Sequence, residues 1–151
     1  MRKHGAKLKL TLNGFDKLLE KIQSAGGEIK PATERALQSS ANLVTAKIRS
    51  GAEARGLGTK GIISPAVKWS GNLATVEVGY ELGNYDSRNP SAGYLALFTE
   101  YGTAKRKTKK GANRGKENAR PFIRPAVTDG KKEIVKAQKT ALERVLKGLK
   151  K

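Results

Sequence analysis

Cysteine is absent from the chain, which removes disulfides, thiolate nucleophiles and cysteine-held metal sites together. Histidine is nearly absent too. The single one, His4, stands beside Arg2 and Lys3 in a stretch read as a frayed terminus, a poor place for a catalytic base. Acids number only 13 and are scattered, whereas a nuclease would need them clustered around a divalent cation. The expectation is a non-enzyme with no cofactor and no metal, although acids distant in sequence can converge in a fold. One Trp, three Phe and four Tyr are few for 151 residues, so the core must rest on Leu, Ile, Val and Ala. No stretch approaches the roughly 18 apolar residues that span a bilayer. Residues 1–14 mix charge with alternating Leu instead of carrying a signal-peptide run, so a soluble product made in the cytoplasm, without a membrane partner, is expected.

Basic residues are plentiful. Lys and Arg total 31, for a formal charge of +18. Residues 1–102 hold 14 basic and 9 acidic side chains, and residues 103–151 hold 17 and 4, so +13 of the charge lies in the last third. Such a potential draws polyanions, so DNA, RNA or an acidic protein ring fits as a neighbour, while surplus Lys kept for solubility is the plainer reading. The length suits one domain, 1–151.

Lys7, Lys9 and Thr11 alternate with Leu8, Leu10 and Leu12, the period of a half-buried strand, and Asn13-Gly14 turns the chain. Phe15, Leu18, Leu19 and Ile22 mark a short helix ended by Gly26-Gly27. A longer helix is expected from about Pro31 to Ser50, with Leu37, Ala41, Val44 and Ile48 on one stripe and Gly51 ending it. The segment from Gly56 to Gly61 reads as a connector, since GLGTKG lacks the spacing of a nucleotide-binding loop. Ala66–Trp69 and Leu73–Tyr80 read as an antiparallel hairpin around Ser70-Gly71-Asn72, with Trp69 as a core anchor, followed by a loop from Gly83 to Gly93. Tyr94–Tyr101 is ambiguous between helix and strand.

From Thr103 to Ala119 there are seven cations, one acid and nothing apolar larger than Ala, which predicts a mobile loop in the isolated subunit. Pro121 and Pro125 bracket Phe122-Ile123 and are expected to hold the pair extended, where Phe122 can pack on this subunit or fill a neighbour's groove. A last amphipathic helix follows, capped by Thr128 or Asp129, with Ile134, Gln138, Ala141, Leu142, Val145 and Leu149 inward. The fold class expected is α+β. A small, mostly antiparallel sheet of the N-terminal strand plus the central hairpin packs on two or three helices, with a long basic loop and a C-terminal amphipathic helix.

Two motifs stand out: YLALFTEYGT at Tyr94–Thr103 and ARPFIRPA at Ala119–Ala126. Glu100 lies between an apolar run and a Gly-Thr turn, and is expected either to pair with Arg120 or Arg124, within the subunit or across an interface, or to be exposed. Gly102, between Tyr101 and Thr103, is expected at positive φ. Lys105, Arg106, Lys107, Lys109, Lys110, Arg114 and Lys116 are candidates for sequence-blind contact with DNA phosphates or for docking on an acidic partner.

In the order and spacing of these motifs the chain resembles a tail-component family of the neck region of long-tailed bacteriophages, in which an acidic–aromatic–Gly-Thr segment precedes a variable loop and an Ala-Arg-Pro-Phe motif. Glu100, Tyr101, Gly102, Thr103, Arg120, Pro121, Phe122, Arg124 and Pro125 occupy matching positions. The opening strand with Leu-Asn-Gly-Phe-Asp and a helix pair is also similar; the long, basic loop departs from the family. The resemblance implies a virion structural protein, for tail completion or head–tail joining. It would form a homomeric ring, hexameric or dodecameric, around the DNA channel, beside other neck and tail-tube proteins. The alternative from another class is a free-standing, basic, architectural nucleic-acid-binding protein.

Overall fold

The computed structural model describes residues 6–150 except 84, 104, 105, 108, 109 and 112, with the backbone alone at 106, 107, 113 and 114. His4, Lys105 and Lys109 lie outside the described residues.

The fold is α+β. Strand β1 (Lys7–Leu10) leads through a turn into α1 (Asp16–Ser24) and then α2 (Ile29–Ala54), the element on which most of the others pack. Strands β2 (Val67–Ser70) and β3 (Leu73–Gly79) form the expected hairpin, and β1 adds on the far side of β3, giving an antiparallel sheet of order β1-β3-β2. Leu8 faces Val78, Leu10 faces Val76, Val67 faces Val76 and Trp69 faces Ala74. Because side chains alternate across a strand, this register puts Leu8, Leu10, Val67, Trp69, Ala74, Val76 and Val78 on the face that meets α2, while Leu73 falls on the other face and is 57 % exposed. Leu37, Ala41, Val44 and Ile48 of α2 are fully buried in the shared core with Val76, Val78 and Tyr80.

On another side of α2, small residues permit close helix packing. Ala32 and Ala36 meet Ile22 of α1 and Leu142 of α5 (Lys131–Leu149) in a second cluster. The inward stripe of α5 runs as expected through Ile134, Gln138 and Leu142, all buried. Gln138 is satisfied there, its amide donating to the Thr11 carbonyl and to Ser40 Oγ, each at 3.2 Å.

Four expectations are corrected. The second helix does not stop at Ser50 and Gly51. It begins at Ile29, runs on to Ala54 and stops at Gly56, whose φ of +68° leaves the helical region. Gly51 serves packing instead, since a Cβ there would sit 3.0 Å from Cβ of Phe122. Trp69 is a half-buried residue at the margin of the core; its Nε1 donates to Glu34 Oε1 at 2.7 Å and Lys30 Nζ lies 5.4 Å from the ring centre. Phe122-Ile123 are not held extended: α4 (Ile123–Thr128) starts there, and Pro125 takes a first-turn position where its missing N–H costs nothing. Neither Thr128 nor Asp129 caps α5, which begins after Gly130 with no side-chain cap.

The ambiguous Tyr94–Tyr101 is helical. Helix α3 (Ala92–Tyr101) takes Gly93 from the end of the expected loop, and Ser91 Oγ accepts from the Tyr94 N–H at 3.3 Å as an N-cap. Gly93 is required because a Cβ would collide with the Glu81 carbonyl. Within the basic segment, expected to be a mobile loop, β4 (Arg106–Lys107) pairs antiparallel with β5 (Asn113–Gly115) through a bulge.

Candidate functional site

Helix α3 ends at the base of the basic hairpin, and α4 starts on the other side of that base. Glu100, in the last turn of α3, is 1 % exposed, too buried for an unpaired carboxylate. Its Oε2 accepts the backbone N–H of Phe122 at 2.7 Å and of Ile123 at 2.8 Å, and its Oε1 accepts the N–H of Arg124 at 2.8 Å. These are orphan donors of the first turn of α4, which has no cap of its own, so Glu100 caps that helix from 22 residues upstream. Arg124 Nε adds an ion pair at 2.9 Å, and Arg124 Nη2 donates to the Glu100 carbonyl at 3.1 Å.

Burial by itself pushes the Glu100 carboxyl up. The backbone N–H groups of Ile123, Arg124 and Phe122, with the Arg124 side chain, outweigh it and hold the carboxyl below the ordinary carboxylate range. The arrangement settles the two pairings left open by sequence. Glu100 pairs with Arg124 within the subunit; Arg120 instead lies 3.6 Å from the exposed Glu117.

The remaining candidates fall around this carboxylate. Gly102 has φ +75°, as expected, and a Cβ there would meet the Glu117 carbonyl at 2.7 Å and the Ala119 nitrogen at 2.9 Å. That close approach lets the two ends of the hairpin bond: Thr103 N–H donates to the Glu117 carbonyl at 2.9 Å, Glu117 N–H to Thr103 Oγ1 at 2.8 Å, and Arg120 N–H to the Thr99 carbonyl at 2.7 Å. Tyr101 lies under the Arg124 guanidinium, 4.5 Å from ring centre to Cζ. Phe122 is 5 % exposed and packs within this subunit, edge-on to Tyr80 at 6.4 Å, so it is not available to fill a neighbour's groove.

Sequence reasoning missed Arg55. At the end of α2 it donates to three backbone carbonyls, Arg120 at 3.2 Å, Gly51 at 3.1 Å and Pro121 at 3.1 Å, while its Cζ lies 5.3 Å from the Phe122 ring centre. The only signal was a cation just before the glycine-rich connector, and many such residues simply meet solvent. Tyr80 was read as a strand residue alone. Its hydroxyl donates to the Gly58 carbonyl at 2.9 Å, pinning the glycine-rich connector to the core. Burial pushes that phenol up, with Arg49 pulling the other way.

Of the seven hairpin cations, Arg106 and Lys107 lie on β4 and Arg114 on β5, while Lys110 and Lys116 are exposed. Among the described residues no group of three or more His, Asp or Glu side chains is placed to hold a metal ion, and no helix is long and apolar enough to cross a membrane. Comparison with family models, with curated proteins and with solved structures finds no match. One buried charge fastens α3 to α4 and fixes the base from which a cationic hairpin projects.

Proposed function

We propose that the chain is a non-catalytic structural subunit of the neck of a long-tailed phage, a tail-completion or head–tail joining protein that forms a homomeric ring around the DNA channel of the virion. The observation that carries the reading is that its two resembling motifs meet at Glu100, which makes the base of the variable hairpin rigid. A ring subunit needs such a fixed base to offer one defined surface to a neighbour, and a closed ring needs two different complementary patches on each copy. Helix α3 is consistent with one of them, because it is apolar nearly all round and leaves Leu95 40 % exposed, while Tyr85, 52 % exposed, packs edge-on to its Tyr94 and Phe98. The cationic hairpin supplies the other contact, to channel DNA or to an acidic neighbouring ring.

Light scattering with negative-stain imaging of the full chain tests this. A hexamer would have a mass of about 98 kDa, six times the subunit's 16.3 kDa, and would be seen as rings. A particle of one or two subunits that binds duplex DNA would overturn the ring and favour the architectural alternative, which the +13 charge of residues 103–151 recommends.

A further inference from the structure

The hairpin is not the only cationic feature. On α5, Lys132, Lys136, Lys139 and Lys147, with Lys150 just past its last turn in helical geometry, are all exposed and follow one another at steps of four, three, eight and three residues, which keeps them on a single line along the helix. The line is about 27 Å long at 1.5 Å per residue. Its one acid is Glu143, 3.9 Å from Lys139. Glu133 lies off the line and is drawn to Lys47 at 2.8 Å. Adjacent like charges at these spacings disfavour the isolated helix, and a helix face serving solubility alone would intersperse acids.

The line continues onto α1. Lys17 and Lys21 share with Leu146 and Lys150 a groove of about 620 Å³ between α1 and α5, with Glu20 as its only acid. We propose that this α5–α1 face is a docking surface for the phosphate backbone of duplex DNA, separate from the 103–119 hairpin. Phosphates follow one another every 3.4 Å of axis along each strand, so the α5 line spans about eight base pairs. A membrane fits less well. The apolar side of α5 is buried against α1 and α2, leaving Val135 as its one exposed large apolar residue, so the helix has little to insert into lipid. Lysines strung along one line meet phosphates as flexible point charges, so the contact is sequence-blind.

The test is fluorescence anisotropy with a mixed-sequence 20-base-pair duplex across a salt series, run on whichever oligomer the mass measurement finds. The variant Lys136→Gln/Lys147→Gln/Lys150→Gln is compared with Lys9→Gln/Lys60→Gln/Lys68→Gln, which removes the same charge from exposed positions elsewhere. All six side chains are exposed, and circular dichroism verifies that both variants are folded. The log–log salt slope of the wild type is expected to lose roughly three in magnitude in the α5 variant and less than about one in the control. Equal losses in the two variants, no binding by the wild type at low salt, or equally tight and equally α5-dependent binding of polyglutamate-coated beads would each overturn the proposal. A ring that fails this test remains a ring, and a monomer that passes it still has the surface.

Discussion

Replacing Glu100 with Ala removes the acceptor from three backbone N–H groups and the partner from one guanidinium. The N–H groups of Phe122 and Ile123 are buried, and each buried donor left without an acceptor costs about 1–3 kcal/mol. The Arg124 N–H and side chain are partly exposed and can turn to water, so they add less. The sum is about 2–6 kcal/mol, which brackets the roughly 3–5 kcal/mol found when one member of a buried pair is deleted. Against a total stability of about 5–15 kcal/mol, this is enough to unfold a sizeable fraction of a marginal protein. Urea unfolding at pH 7, followed by circular dichroism, measures it through the midpoint, and the thermal midpoint should fall by on the order of 10 °C. Glu117→Ala is the control. Its carboxylate is 40 % exposed and 3.6 Å from Arg120, so its loss should cost under about 0.5 kcal/mol. An E100A protein within about 1 kcal/mol of wild type would refute the reasoning.

Three further outcomes follow from the same geometry. Since the folded carboxyl of Glu100 titrates below its unfolded value, its contribution is complete above the unfolded carboxylate range, near pH 4.3, and is lost as pH falls through the folded value. Acid should therefore destabilise the wild type more steeply than Glu100→Gln, and parallel stability–pH curves would contradict this. Gly102→Val adds a β-branched side chain at φ +75° and a Cβ 2.7 Å from the Glu117 carbonyl, so a loss of about 3 kcal/mol or more is expected in thermal unfolding, with Gly102→Ala less severe. Arg55→Ala frees three carbonyls and uncovers the Phe122 ring, for a loss of about 2–3 kcal/mol by urea unfolding, with Arg55→Lys recovering only part because an ammonium cannot reproduce the planar fork.

The sheet and the helix faces were legible because each rests on a period. Leu8, Leu10, Val76 and Val78 alternate, and Leu37, Ala41, Val44 and Ile48 recur at helical steps, so either pattern names its element and its buried side at once. Legibility failed where a residue answers to something distant. Gly51 reads as a stop from its neighbours, yet it is small to admit Phe122, 71 positions away. Pro121 and Pro125 read as extending elements, but Glu100 supplies the cap that lets a helix begin between them. At the site, the Glu100–Arg124 pair and the turn at Gly102 were within reach, since an acid beside a Gly-Thr turn and two arginines across a variable segment suggest a bracket. The three backbone N–H groups were not, because backbone donors carry no letter in the sequence. Arg55 was hidden for the same reason, as all its hydrogen-bond partners are carbonyls.

The most direct measurement is the NMR titration of the Glu100 side-chain carboxyl carbon, read together with the amide protons of Phe122, Ile123 and Arg124. A midpoint below the ordinary glutamate range, with the three amide signals moving in step as the carboxylate is protonated, is the expected result. A midpoint within or above that range, or amide signals indifferent to the titration, would mean that no buried carboxylate holds the base of the hairpin.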